Sequence, residues 1–221
     1  MLDWMGAGVI WPKGKETETN TALEMALSDQ GVVQSGLVSG TRLATPSGWR
    51  TVETIAPGDK VLTFDAGMQV VTAVHRAPLW QDEGPCPRSL WPVQVPPGAL
   101  GNRDLLLLAP DQATLIESDL AEEILGDPFA LIPARVLDGV RSMCRVPPEE
   151  GVEIVTLSFA SEQIVFANSG AMFHCLAEQD IVSTAMGGAI EPVYEVLDLM
   201  TAGYLAMALE KGCLPGRSAV A

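Results

Sequence analysis

Through most of the chain, apolar and polar positions alternate in short runs separated by glycine, proline and other turn residues. That period-two pattern predicts β-strands rather than helices. The clearest series lies between residues 36 and 67. Residues 43–45 read as a strand, Ser47-Gly48 as a tight turn, and 49–53 as the returning strand. Pro57-Gly58 supplies the next turn, 60–64 a third strand, 65–67 a third turn, and 69–75 a fourth strand. Residues 77–102, rich in proline and glycine, read as a long connection with one short strand over 91–95. Further strands are predicted at 104–108, 113–116, 129–132 and 171–175, with 152–159 and 163–167 forming a hairpin-like pair.

Helical signals are peripheral. Thr21 with Glu24 forms a capping box, Leu23, Ala26 and Leu27 give an apolar face, and Gly31 closes the segment. Asp119 and Glu122 open a second helix that Gly126 ends, and Pro133 opens a turn or two ending at Gly139. Pro192 opens the longest helix, before Gly212. Its stripe of Val193, Val196, Leu197, Met200 and Tyr204 is expected to pack on the β domain, with partner binding or dimerisation as the alternative. The expected division is an arm and short helix over 1–34, a β domain over 35–176, and a linker with a C-terminal helix over 177–221. Trp4 and Trp11 are apolar anchors in the arm, for the domain surface or for a partner.

Composition narrows the function. A chain of 221 residues, 48% hydrophobic, can bury one good core. Its net charge of −15 disfavours nucleic acid and anionic membrane surfaces, which need clustered lysine and arginine. Cys86, Cys144, Cys175 and Cys213 are scattered, a poor pattern for zinc or for a disulfide framework, so free thiols are expected. Asp65, Asp104 and Asp111 show no calcium-loop spacing, and no glycine motif for phosphate follows a strand. No metal or other cofactor is expected. The first 20 residues lack a basic leader with an apolar run, and residues 193–209 are interrupted by Glu195, Asp198 and Gly203, so a cytoplasmic protein is expected.

The series Gly40-Thr41, Thr45, Gly48, Val52-Glu53, Ile55, Gly58-Asp59, Val61 and Asp65 resembles the opening block of the Hint module, shared by inteins and hedgehog autoprocessing domains. It is most similar to the bacterial Hint-domain group. Three later pieces, 105–116, 130–139 and 152–170, fit the same group, so the resemblance spans about residues 35–176. It implies an all-β, horseshoe-like module of pseudo-twofold design, here with peripheral helices.

The resemblance also implies an activity, autocatalytic cleavage of the peptide bond preceding the module. A Cys or Ser attacks the preceding carbonyl, while a Thr and a His in a T-x-x-H motif distort and protonate the scissile amide. In this chain the nucleophile position is Gly36, and the T-x-x-H position is Ala109-Pro110-Asp111-Gln112. Glycine cannot attack, alanine has no hydroxyl, and an amide cannot relay a proton near neutral pH. No His-Asn ending of the intein kind is expected, so splicing is not.

Two other groups of residues could substitute for the missing chemistry. Ser35 adjoins the nucleophile position, but a one-residue slip in a strand reverses side-chain direction. His75 or His174 could serve Cys175 in a Cys-His pair, yet His174 and Cys175, adjacent on a strand, point to opposite faces. The expectation is a degenerate Hint domain acting as a non-catalytic scaffold or protein-binding module. Its candidate surfaces are the arm, the 77–102 loop and the C-terminal helix. The alternative is an N-to-O acyl shift and self-cleavage near Ser35-Gly36.

Overall fold

The computed structural model describes residues 35–81, 83–178 and 193–211. The helix expected after Thr21, the tryptophans at 4 and 11, and Gly212 lie outside the described residues. Two antiparallel sheets carry the architecture. The first comprises β1 (Leu37–Val38), β6 (Ala73–Pro78), β7 (Val93–Val95), β8 (Leu106–Leu108), β11 (Cys144–Arg145) and β12 (Glu153–Ser158), in the order β11-β7-β8-β1-β12-β6. The second runs β10-β9-β14-β13-β2-β3, from β2 (Arg42–Thr45), β3 (Gly48–Thr51), β9 (Ala113–Glu117), β10 (Phe129–Pro133), β13 (Gln163–Ala167) and β14 (Ala171–Cys175). The hairpin of β4 (Lys60–Thr63) and β5 (Gly67–Val70) joins it through β13. Helices α1 (Asp119–Leu125) and α2 (Leu199–Lys211) lie outside the strands. The protein is all-β with peripheral helices.

The chain crosses between sheets repeatedly, and the main core gathers residues from both, among them Leu43, Val61, Val93, Leu108, Val155, Val165 and Phe173. Alternation delivers them: β14 buries Ala171, Phe173 and Cys175 while Met172 and His174 take the other face.

The positions that carried the resemblance prove to be turns and clamps. Gly40, at φ +87°, donates its amide to Glu53 Oε2 at 3.0 Å. Burial opposes the charge of Glu53, but the Gly40 amide and its other neighbours hold the carboxyl below its usual range. Thr41 Oγ1 donates to the Val38 carbonyl at 2.6 Å, and Thr45 Oγ1 to the Gly48 carbonyl at 2.7 Å. Asp59 accepts the Ala56 amide and the Arg50 guanidinium. Val52, Ile55 and Val61 are wholly buried beneath them.

The expected strand 49–53 ends at Thr51, with Val52–Thr54 a 3-10 turn, and the structure departs from the sequence reading in four further places. The expected strand 69–75 is two strands, because residues 71 and 72 leave the β5 ladder before β6 begins. Strands β12 and β13 form no hairpin: β12 pairs β1 and β6, while β13 pairs β14, β2 and β4. Pro133 ends strand β10, and the turn after it is a short 3-10 helix, Ala134–Leu137. The last helix begins at Leu199 rather than after Pro192, because Asp198 caps it, its carboxylate accepting the Met200 and Thr201 amides. The packed stripe is Ala202, Leu205, Ala206 and Leu209, while Met200 and Tyr204 face outward.

Candidate functional site

Strand β1 is central in its sheet, with Leu37 opposite both Val155 and Leu108. This pairing sets Gly36 beside the end of β8, where Ala109 begins the turn leading to Gln112. The Gln112 amide closes that turn on the Ala109 carbonyl at 3.0 Å. Residues of the 130–139 piece hold the turn from outside: the Arg135 amide donates to the Pro110 carbonyl at 2.8 Å, and the Ala134 amide to the Gln112 carbonyl at 2.9 Å. The Arg135 guanidinium pairs with the Asp111 carboxylate. Burial raises the Asp111 carboxyl above its ordinary range, and the Arg135 charge offsets only part of that.

Gln112, 2% exposed, links three segments. Its Oε1 accepts the Gly36 amide at 3.0 Å, and its Nε2 donates to the carbonyls of Ala113 and His174, each at 2.9 Å. Gly36 and Gln112 are therefore in direct contact across 76 residues of sequence. One side chain bridges β1 of the first sheet and β14 of the second.

Gly36 is closed to any side chain. Its φ is +132°, a conformation that L-residues avoid, and a Cβ there would lie 2.5 Å from Ile154 Cγ2 and 3.0 Å from Thr156 Oγ1. Ile154 and Thr156 on β12 occupy the place where a side chain at 36 would stand. No local pattern along the chain signals that filling, since it depends on the β1–β12 pairing. Ala109 is wholly buried in an apolar cluster with Val38, Leu79 and Ile154. Ser35 is half-buried next to Gly36, but Gln112 addresses the amide of Gly36.

The other candidates are dispersed. His75 is exposed on β6, opposite Thr156. Cys175 lies in the main core, and burial pushes its thiol up to about 12. His174, on the opposite face of β14, packs edge-on against Tyr194 and lies 3.5 Å from Glu162. Excess thiol reagent at about pH 8 is expected to label exposed Cys144 rapidly and to spare Cys175 until denaturant is added, read by peptide mass mapping. Native labelling of Cys175 at the Cys144 rate would return the Cys-His pair to consideration.

Three polar contacts that sequence reasoning missed anchor the segment leading to α2. Glu162 Oε2 accepts the Val193 amide at 3.0 Å and the Tyr194 amide at 3.2 Å, and the Tyr194 hydroxyl donates to Asp65. Burial opposes the Glu162 charge, but His174 and these two amides hold its carboxyl below the ordinary range. Asp104 pairs with Arg42. Thus Asp65, Asp104 and Asp111 have separate partners. Among the described residues, no helix is long and apolar enough to cross a membrane.

A Hint-domain family model matches residues 35–178. Among solved structures, a bacterial intein-like domain from Clostridium thermocellum is similar at 14% identity and a TM-score of 0.45, covering 63% of this chain and 98% of that one. The gp41-1 intein gives 11% identity and a TM-score of 0.38, covering 62% and 97%. The MchDnaB-1 intein gives 15% identity and 0.36, covering 62% and 98%. No curated protein matches the sequence.

Proposed function

The chain belongs to the Hint-domain family, and from that premise we propose that it is a degenerate member, a non-catalytic scaffold that binds another protein. The observation carrying this reading is the Gln112–Gly36 hydrogen bond. The residue standing where the family resemblance places a histidine accepts the backbone N–H at the family's nucleophile position. That geometry suits the family's handling of the amide that precedes a nucleophile. The chemistry does not follow, because a carboxamide oxygen accepts this proton but has none to deliver, so nitrogen is not made a leaving group. Gly36 offers no nucleophile, and Ala109 offers no hydroxyl to distort the amide. Losing one member of such a catalytic unit already costs orders of magnitude in rate.

Ser35 does not fill the gap. An acyl shift onto its hydroxyl would break the bond before residue 35, whereas the Gln112 side-chain acceptor is spent on the amide of residue 36. Intact-mass measurement of purified protein, incubated with and without hydroxylamine or a thiol, is the test. The expected result is the full-length mass throughout. A fragment beginning at residue 35 or 36, together with an N-terminal complement whose C-terminal carbonyl carries the added nucleophile, would overturn the reading in favour of self-cleavage.

A further inference from the structure

The last helix is apolar on both sides. Through Ala202, Leu205, Ala206 and Leu209, α2 packs toward β10, the 134–137 turn and α1. On the opposite side, Met200, Tyr204 and Met207 stand at i, i+4 and i+7, with 83%, 59% and 57% of their surfaces exposed. A helix that is hydrophobic all round is normally covered on all sides. This stripe runs for about 10 Å, the length of a helix–helix contact over two turns. Methionine is the apolar side chain most able to adapt its shape to a partner.

We propose that this outer face of α2 docks a basic amphipathic helix of another protein. The inference rests on the scaffold reading and names the chemistry of its partner. Charge chooses the occupant. The stretch 193–211 carries Glu195 and Asp198 at one end of the stripe and Glu210 at the other, while the adjoining α1 presents Asp119, Glu122 and Glu123. Against these six carboxylates the two stretches hold one basic residue, Lys211. Of the arginines nearby, Arg135 is paired with Asp111. Arg141, whose backbone amide donates to Glu210, sends its guanidinium to the Ala99 carbonyl. An apolar stripe in an acidic frame complements a helix with an apolar face flanked by lysine or arginine.

The alternatives fit less well. A second copy would bring another net charge of −15 against the first. The chain's own remaining segments are not basic: residues 1–34 have two lysines against five carboxylates, 179–192 have no lysine or arginine, and 212–221 have one arginine. An anionic membrane surface would meet the same carboxylates.

The test titrates the full chain into a labelled helical peptide of about 18 residues, with leucines at helical spacing and lysines elsewhere, at about 0.15 M salt. Its twin carries glutamates in place of the lysines. Saturable binding of the lysine peptide, at least about tenfold tighter than its twin, is expected. The double variant Tyr204→Ser, Met207→Ser should weaken it a further tenfold or more, with unchanged circular dichroism because both side chains are exposed. No saturable binding, equal binding of the twins, or an unaffected variant overturns the inference. So does a dimer in sedimentation that Tyr204→Ser abolishes, which assigns the face to a second copy. Peroxide protection of Met200 and Met207 in the isolated chain likewise overturns it, assigning the face to the chain itself. None of these outcomes produces or removes a cleavage fragment, so the mass measurement tests the scaffold reading independently.

Discussion

Gly36→Ala is expected to destabilise the protein by about 2–6 kcal/mol, in equilibrium denaturation followed by tryptophan fluorescence. Two costs act together. A residue with a Cβ pays about 1–3 kcal/mol to hold φ at +132°. The new methyl then overlaps Ile154 and crowds Thr156 on a central strand pair, which adds about 1–3 kcal/mol of overpacking. Gly40→Ala separates the two. Gly40 also has positive φ, +87°, but a Cβ there meets nothing within 4 Å, so it pays the backbone cost alone. Ile154→Ala in the Gly36→Ala background should recover part of the loss, a coupling of about 1 kcal/mol in a double-mutant cycle. A Gly36→Ala protein as stable as the parent would mean that the backbone there turns readily and that the site is open to a nucleophile.

How far this site was legible in the sequence depends on which contacts are local. The clamps of the opening block join residues 3 to 13 apart, as with Thr41 to Val38 and Gly40 to Glu53, so their residue types and spacing appear as a pattern. Turn glycines at 48, 58 and 126 were readable for the same reason, each with positive φ where the reading needed it. The mapping of Gly36 and Gln112 onto one site came from the resemblance, and their contact spans 76 residues. What stayed hidden is what only tertiary pairing decides. Ile154 and Thr156 look like ordinary strand residues until β12 is set beside β1. The 152–167 stretch reads as a hairpin because both halves are good strands in sequence, yet the two halves pair in different sheets. The last helix misled through its composition. With apolar residues on every side, periodicity could not say which stripe faces the core; tertiary packing against β10 and the 134–137 turn selects Ala202, Leu205, Ala206 and Leu209.

Gln112 carries the second large expectation. Gln112→Ala should cost about 3–5 kcal/mol, because it leaves the buried Gly36 amide and the carbonyls of Ala113 and His174 without their partner and opens a small cavity. Gln112→His is expected to be milder, about 1–3 kcal/mol, since a neutral imidazole has one acceptor and one donor for three bonds. Gln112→Glu offers a sign test. An ionised carboxylate has no donor for two carbonyl oxygens in a buried site, so its folded-state pKa lies above the unfolded value. The penalty is then full at neutral pH and lifts as the pH falls through the raised folded-state pKa, so this variant alone should gain stability relative to the parent on mild acidification. Equal stability of the alanine variant and the parent would deny Gln112 its role as a pin between the sheets. The same contacts predict what restoration of family chemistry requires. Gly36→Cys with Ala109→Thr and Gln112→His supplies the missing groups, but it also places a side chain against Ile154 and a hydroxyl in the apolar cluster around Ala109. That triple variant should be markedly less stable than the parent and should not cleave. Only after Ile154→Ala makes room can the backbone at 36 leave its glycine conformation, so any cleavage should first appear in the quadruple variant.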